Sequence, residues 1–149
     1  MPEITPATLE RDGWVRNDDI SDFTRHVGPT WRKDDGPGRR RVGFIVDTKH
    51  DNSHARAHGG MIMSLCDDGM GTTAARARPG EQLFTVSFEC QFISGAEKGE
   101  FVVAHCEVMR ATGSLMFMRG ECRVGDRLVA TCSGIWKVLG KRRTAGEAA

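Results

Sequence analysis

The sequence predicts an α+β fold in which one curled antiparallel sheet buries a single long helix. Apolar residues follow helical spacing in one long stretch, about residues 59–77, and strand-like alternation occurs on both sides of it. Short turn signals join the last three strand segments, which makes these strands antiparallel neighbours. A chain of 149 residues is long enough for one domain with a sizeable core.

The segment before the long helix is predicted to hold two short helices and one strand. Residues 1–12 are polar and include two prolines, consistent with one short helix. Residues 21–27 form the second, capped by Ser21 or Asp22 and ended by Gly28-Pro29. The strand that follows carries three apolar side chains on one face: Val42, Phe44 and Val46.

The long helix is predicted from about Gly59 to Ala77. Its apolar residues recur at spacings of three and four: Met61, Ile62, Leu65, Cys66, Met70, Ala74 and Ala77. Pro79-Gly80 then ends the helix. Because apolar side chains occupy much of its surface, we expect the helix to be covered on most sides.

Four strands are predicted after the helix. Alternation in the first, residues 83–92, places five apolar residues on one face: Phe84, Val86, Phe88, Cys90 and Phe92. The polar residues between them, including Thr85 and Glu89, then share the opposite face. The other three strands are separated by hairpin turn signals and lie at about residues 100–111, 115–124 and 127–139.

Charge and composition argue against several classes of partner. The formal net charge is +1, so no strong field draws the chain to nucleic acid or to an anionic membrane. No apolar run approaches the ~20 residues that span a bilayer, and the N-terminus lacks the apolar centre of a signal peptide. We therefore expect a cytoplasmic protein whose five cysteines are reduced and buried as small apolar groups.

Three histidines, His50, His54 and His58, follow one another at a spacing of four. They would form a metal site only on a helix, where this spacing places side chains on one face. The turn residues at 51–53 and the glycines that follow His58 oppose a helix here. We expect a loop with no common face, and no metal.

The two glycines after His58 indicate a different chemistry. A helix that opens with Gly59 and Gly60 exposes backbone N–H groups, and its dipole favours negative charge. A carbonyl oxygen that becomes an oxyanion suits such a position. Asp67 lies seven residues beyond Gly60, nearly two turns, so it returns to the same helix face roughly 10 Å along the axis.

A structural interpretation of the same residues stays open at this stage. An aspartate on a helix is usually solvated, and a Gly-Gly pair is usually part of a loop. The neighbouring Asp68 points about 100° away from Asp67, so at most one of them faces the groove. We expect Asp68 at an interface or in water.

The pattern Asn52-x5-His58-Gly59-Gly60-x6-Asp67, followed by Thr85-Val86 at the start of a strand, resembles the PaaI-type hotdog-fold acyl-CoA thioesterases. The resemblance runs from about Gly28 to Val138. It divides the chain into three parts: an N-terminal extension at 1–27, a hotdog thioesterase domain at 28–139 and a flexible polar tail at 140–149.

This resemblance implies the hotdog fold and homodimers or tetramers with active sites between subunits. The implied reaction hydrolyses an acyl-CoA thioester to a carboxylic acid and free coenzyme A, which enters as part of the substrate; no separate cofactor is implied. A non-catalytic acyl-CoA binding or sensing protein on the same fold is the alternative. The expected site residues are Asp67, Gly59, Gly60, Asn52, His58 and Thr85.

The roles implied for these residues differ. Asp67 is the catalytic carboxylate, acting as a general base on water or attacking directly, and Gly59 or Gly60 offers a backbone N–H to the thioester oxygen. Asn52 and His58 support that geometry. Thr85 is expected from the partner subunit, where it helps to place the water.

Four further residues complete the expectations. Arg110 and Lys137, near strand ends, are candidates for holding the phosphates of coenzyme A. Two positions depart from the family pattern: Ala55 stands where a glycine is common in the loop, and Glu89 stands where an asparagine is frequent.

Overall fold

The computed structural model describes residues 3–18 and 20–141. Its helices are α1 Pro6–Arg11, α2 Asp22–Val27 and α3 Gly59–Ala77, with a single 3-10 turn at Thr48–His50. Its strands are β1 Val15–Arg16, β2 Trp31–Asp34, β3 Arg39–Ile45, β4 Glu81–Phe92, β5 Phe101–Ala111, β6 Leu115–Val124 and β7 Arg127–Lys141. The strands form one antiparallel sheet in the order β1-β2-β3-β5-β6-β7-β4.

The predicted architecture is confirmed, because the sheet curls around α3 and buries one face of the helix. The expectation that α3 is covered on most sides is wrong for the single chain, in which Met63 and Ala77 are exposed. Leu65, Cys66 and Met70 on α3 are at most 2% exposed, and they pack against the inner face of the sheet. Gly69 allows the closest approach, since a Cβ there would lie 2.8 Å from the Sγ atom of Cys106 on β5. Helix and sheet therefore share one core.

Strand β4 is the exception to the predicted alternation. A β-bulge between Thr85 and Ser87 shifts its pairing with β7, so the face that points to the helix changes along the strand. Before the bulge Leu83 packs against the core, and after it Phe88 and Cys90 do. The prediction that all five apolar residues share one face is therefore wrong: Phe84 and Val86 are 54% and 59% exposed.

The N-terminal segment is an integral part of the fold rather than an appendage. Strands β1 and β2 extend the sheet beyond β3, and both were missed in the sequence because they are too short to show alternation. Trp14 packs on the outer face of the sheet, edge-to-face with Phe101 at a centroid distance of 5.0 Å. Helix α2 lies on the opposite side, next to α3, where Thr24 contacts Asp68.

The five cysteines are free, and their side chains point into the core. Two pairs are close, Cys66 with Cys122 at 3.1 Å and Cys90 with Cys132 at 3.4 Å between sulfur atoms. Burial raises the pKa of Cys106 to about 12, so this thiol is neutral in the folded protein. The expectation of reduced cysteines acting as apolar core groups agrees with this arrangement.

The proposed tail and the search for a membrane-spanning helix can be compared with the structure only over the described residues. The proposed flexible tail at 140–149 begins inside β7, which reaches Lys141, and residues 142–149 lie outside the described part of the chain. Within the described ranges, none of the helices combines the length and apolarity needed to span a bilayer.

The loop before α3 contains a strained residue. Ala55 has a φ of +56°, a left-handed conformation that glycine adopts more easily than alanine. The backbone therefore favours glycine over alanine at this position.

We predict that Ala55→Gly stabilises the protein by about 0.5–1 kcal/mol, because relief of the left-handed strain exceeds the added entropy of the unfolded chain. Urea denaturation measures this change. Ala75→Gly, on the exposed surface of α3, is the matched control and is expected to destabilise by about 1 kcal/mol. Destabilisation by both substitutions would contradict the strain at Ala55.

Candidate functional site

The start of α3 leaves one backbone N–H group without an acceptor. His58 is the N-cap residue, and its Nδ1 atom accepts a hydrogen bond from the Gly60 N–H at 2.8 Å. The expectation that either glycine could serve a ligand is therefore corrected, because the protein itself caps Gly60. Within the described part of the chain the Gly59 N–H has no acceptor, and it lies at the positive end of the helix dipole.

His58 is itself held in place by the preceding turn. Its N–H donates to the carbonyl of His50 at 2.6 Å. The His50 side chain is buried; its Nδ1 accepts from the Asp47 N–H at 2.9 Å, so its Nε2 donates to the carbonyl of Val27 at 2.6 Å. These bonds fix the entry of the chain into α3.

The three histidines at a spacing of four have separate surroundings. His50 is a buried structural residue and His58 caps α3, whereas His54 is exposed beside Ser53. They lie on a turn and a loop, as predicted, and share no face. Among residues 3–18 and 20–141, no cluster of three histidine, cysteine or acidic residues is arranged to hold a metal ion.

Asn52 closes the loop that precedes α3. Its side-chain oxygen accepts hydrogen bonds from the N–H groups of His54 at 2.8 Å and Arg56 at 3.2 Å. This Asx-type geometry leaves the Asn52 side-chain NH2 group with no acceptor among the described residues. Asn52 thus supports the loop before α3 and also lines a cleft.

Two clefts of about 400 Å³ each flank the start of α3. The first, here called the Gly59 cleft, is lined by Asn52, Arg56, Ala57, Gly59, Ile62, Phe92, Ile93, Ser94, Gly95, Ala96 and Val129. The second, here called the α2 cleft, is lined by Phe23, Val27, Lys49, His50, Asp51, His58, Gly60, Met61 and Ser64. Arg56 and Phe23 were not predicted as site residues, because neither belongs to a recognisable motif.

Asp67 is half-buried on α3, and only one of its carboxylate oxygens is occupied. Its Oδ1 accepts a hydrogen bond from the Thr85 hydroxyl at 2.8 Å, while Oδ2 has no partner within the described residues. Thr85 belongs to the same chain, which corrects the expectation that it reaches Asp67 from a partner subunit. The bulge in β4 explains this position, because it turns Thr85 toward the helix.

The free amide and the carboxylate do not share a cleft in one chain. Asp67 lies eight residues beyond Gly59, about 12 Å along a helix axis. It lines neither the Gly59 cleft nor the α2 cleft. The separation along α3 is therefore too large for the Gly59 N–H and the Asp67 carboxylate of one subunit to meet at one thioester carbon.

Asp68 is held by the N-terminal segment and not by solvent. Its Oδ2 accepts a hydrogen bond from the Thr24 hydroxyl at 2.7 Å. Burial raises the pKa of Asp68, the Thr24 hydrogen bond lowers it, and the nearby charge of Asp67 raises it further, with a net upward shift. Of the two settings expected for Asp68, an interface or water, full exposure to water is therefore wrong, because the side chain is half-buried against α2.

Arg110, Lys137 and Glu89 lie on the outer face of the sheet. Lys137 stands between the buried residues Trp136 and Val138, so it points away from α3. Arg110 is opposite Phe117 on β6 and shares this outward direction, following a bulge in β5. The structure does not bring either cation to the start of α3, and Glu89 is exposed opposite Ser133.

Comparisons with known proteins agree on one family. The profile of the thioesterase superfamily matches residues 54–133. The Pseudomonas aeruginosa protein named "Putative esterase PA0474" is 31% identical over 111 residues, which cover 74% of this chain and 83% of that protein. The conserved protein PA5202 of Pseudomonas aeruginosa superposes with a TM-score of 0.76 at 26% identity, covering 80% of this chain and 95% of the other.

Two more distant structures share the fold. The PaaI protein of E. coli, from the phenylacetic acid degradation operon, has a TM-score of 0.76 at 17% identity and covers 93% of this chain and 94% of its own. A hypothetical thioesterase of Streptococcus pneumoniae, solved with coenzyme A, has a TM-score of 0.70 at 18% identity, with 76% and 91% coverage. The chain belongs to the thioesterase superfamily, with the hotdog fold, and is a thioester hydrolase.

We predict that Asp68→Asn raises the melting temperature at pH 7. Because the pKa of Asp68 is higher in the folded than in the unfolded state, its ionisation disfavours folding once the pH exceeds the ordinary carboxylate pKa of about 4. The asparagine oxygen can still accept the Thr24 hydrogen bond. Melting curves from pH 3.5 to 7.5 should show a gain that vanishes at the acidic end.

Asp126→Asn, on the exposed β6–β7 turn, is the control and should show no comparable trend with pH. A gain for Asp68→Asn that is equal at all pH values would contradict the buried-charge explanation.

Proposed function

We propose that the protein hydrolyses acyl-CoA thioesters to a carboxylic acid and free coenzyme A, with Asp67 as the catalytic carboxylate. The observation that carries this proposal is the asymmetric setting of Asp67. Thr85 fixes one carboxylate oxygen at 2.8 Å and leaves the other available to water or to a carbonyl carbon. Asp67 acts as general base on water, or attacks the thioester to give an anhydride that water then hydrolyses.

The Gly59 N–H is the proposed donor to the thioester oxygen. It is the amide that the His58 cap leaves unused at the positive end of α3. Such a donor stabilises the negative charge that develops on the oxygen in the transition state, typically by about 3 kcal/mol. His58 and Asn52 position this amide, through the cap and through the loop before it.

We further propose that each active site combines Gly59 of one subunit with Asp67 and Thr85 of another. The separation of about 12 Å along α3 supports a shared site, because no single chain can place both groups on one carbon. Strand β4 supports a dimer: among the described residues it pairs only with β7, so its other edge carries backbone groups unpaired within that part of the chain, along a strand of 12 residues. Two copies joined at this edge form a symmetric homodimer, and two such dimers could form a tetramer.

Arg56 is a better-placed candidate than Arg110 or Lys137 for the charged end of coenzyme A. It lines the Gly59 cleft, and its nearest carboxylate, on Glu97, is 3.6 Å away with both side chains more than half exposed. An exposed ion pair of this kind contributes little, so a phosphate can compete for the guanidinium. The pantetheine arm would then extend from the thioester through the Gly59 cleft toward Arg56.

Asp67→Asn should abolish most of the hydrolysis without unfolding the protein. We expect a loss of about 10²–10⁴ in kcat with an unchanged melting temperature, because the amide keeps the Thr85 hydrogen bond but is neither a base nor a nucleophile. Release of free thiol from short, medium and aryl acyl-CoAs measures the rate. Glu89→Gln, on the outer face of β4, is the control and should retain activity.

Full activity in Asp67→Asn would remove this residue from the mechanism. If the wild-type protein bound the acyl-CoA panel without releasing thiol, it would be the binding or sensing protein that the sequence left as the alternative.

A pair of substitutions at Gly59 separates the amide donor from the space it occupies. Proline is tolerated at the first position of a helix, and it removes the N–H; His58 already has the extended conformation that a following proline requires. Gly59→Pro should reduce kcat by about 10²–10³. Gly59→Ala places a Cβ at the same 3.1 Å from Phe92 but keeps the N–H, and should lose far less.

Mixing the two inactive variants tests the shared site. Subunits of Asp67→Asn and Gly59→Pro, dissociated and reassembled together, should regain about a quarter of wild-type activity, because half of the dimers then hold one intact site. If mixing restored nothing while both variants stayed folded and exchanged subunits, each site would belong to one chain.

A further inference from the structure

Helix α2 is clamped in place although it is too short to be stable alone. It has six residues, and isolated helices of this length do not persist in water. At its N-terminal end the Ser21 hydroxyl bonds the Thr24 hydroxyl at 2.9 Å, and Thr24 donates to Asp68 on α3. At its C-terminal end the Nζ atom of Lys49 donates to the carbonyls of His26 and Gly28.

The clamped helix presents an aromatic ring to the α2 cleft. Phe23 is 56% exposed, although a phenylalanine gains from burial, and it lines the cleft together with Val27 and Met61. Gly60 and Ser64, on the first turns of α3, form the opposite wall of this cleft. This concave surface of about 400 Å³ lies in the size range of small-ligand sites.

The two clefts differ in charge, which assigns the two arms of a thioester. Arg56 in the Gly59 cleft is available to a phosphate. Lys49, the corresponding cation of the α2 cleft, is already engaged by the two backbone carbonyls at the end of α2. The α2 cleft therefore offers no free cation, and it also contains the carboxylate of Asp51, one oxygen of which is buried without a partner among the described residues. This charge disfavours a phosphate in the α2 cleft, whereas the apolar wall formed by Phe23, Val27 and Met61 suits an acyl chain.

On the proposed function, we infer that α2 is the wall of the acyl site, and that Phe23 sets the length of the hydrophobic acyl chain that the site accepts. This contribution comes from outside residues 54–133, the part of the chain that matches the family profile. The core of the fold supplies the reaction, and the N-terminal segment supplies the choice of substrate. Residues Ser21, Thr24 and Asp68 act by positioning this wall.

The experiment measures binding of S-alkyl coenzyme A thioethers, which lack the carbonyl and cannot be hydrolysed. Calorimetry with chains of 4 to about 14 carbons should show affinity rising about three- to fourfold per methylene until the cleft is filled. The plateau should move to chains about two to four carbons longer in Phe23→Ala and to shorter chains in Phe23→Trp. Because Phe23 is exposed, neither substitution disturbs the core.

Val15→Ala is the matched control, since Val15 is an exposed apolar residue of the same N-terminal segment and lines neither cleft. Its plateau should equal that of the wild-type protein. The same plateau in all four proteins, or no thioether binding by the wild-type protein, would overturn the inference. A partner subunit that covers Phe23 would produce this unchanged plateau, together with a weaker dimer in Phe23→Ala.

Hydrolysis of the matching acyl-CoA series separates this inference from the proposed function. If the Phe23 variants hydrolyse acyl-CoAs with the same chain-length preference as the wild-type protein, the proposed hydrolase activity is supported and the proposed role of Phe23 is contradicted. If the thioether plateau shifts as expected but no acyl-CoA is hydrolysed, the proposed acyl site is supported and the proposed hydrolase activity is contradicted.

Discussion

The hydrogen bond from the Gly60 N–H to the Nδ1 atom of His58 decides what the start of α3 can do. A helix opens with several unpaired N–H groups, and this cap removes one of them. The bond depends in turn on the buried His50, whose carbonyl holds the His58 backbone. The remaining amide of Gly59 is thereby singled out between two clefts, and the proposed chemistry follows from this selection.

The two neighbouring acids on α3 illustrate how adjacent side chains acquire different roles. Each accepts a hydrogen bond from a threonine, Asp67 from Thr85 on β4 and Asp68 from Thr24 on α2. These bonds attach the helix to the edge of the sheet on one side and to the N-terminal segment on the other. Asp67 retains a free oxygen, whereas burial makes the charge of Asp68 unfavourable.

Most of the fold could be predicted from the sequence, because its long elements carry strong patterns. The limits of α3 agree with the structure, since apolar periodicity begins after Gly59-Gly60 and Pro79-Gly80 follows Ala77. The faces of β4 could not be predicted, because a bulge adds one residue without a recognisable signal. Strand β1, with two residues, is too short to show any period.

The candidate site was predictable in composition but not in its contacts. Asp67, Gly59 and Thr85 follow from the motif, whereas the capping of Gly60 depends on the rotamer of His58, which spacing does not determine. Arg110 was misplaced because a bulge precedes it in β5, and Lys137 because the curvature of the sheet turns its outer face away from the helix. A basic residue near a strand end can be recognised in the sequence, but the face of the sheet to which its side chain points cannot.

The sulfur atoms of the core have a practical consequence. Reagents that detect thiols react with the thiolate, and four of the five cysteines here are buried. The fifth, the half-buried Cys90, has its pKa raised by burial to about 12. The cysteines of the native protein should therefore not react with such a reagent, whereas a small thiol released into solution should. Reaction of the protein's own cysteines with the reagent then indicates that the packing of α3 against the sheet has been lost.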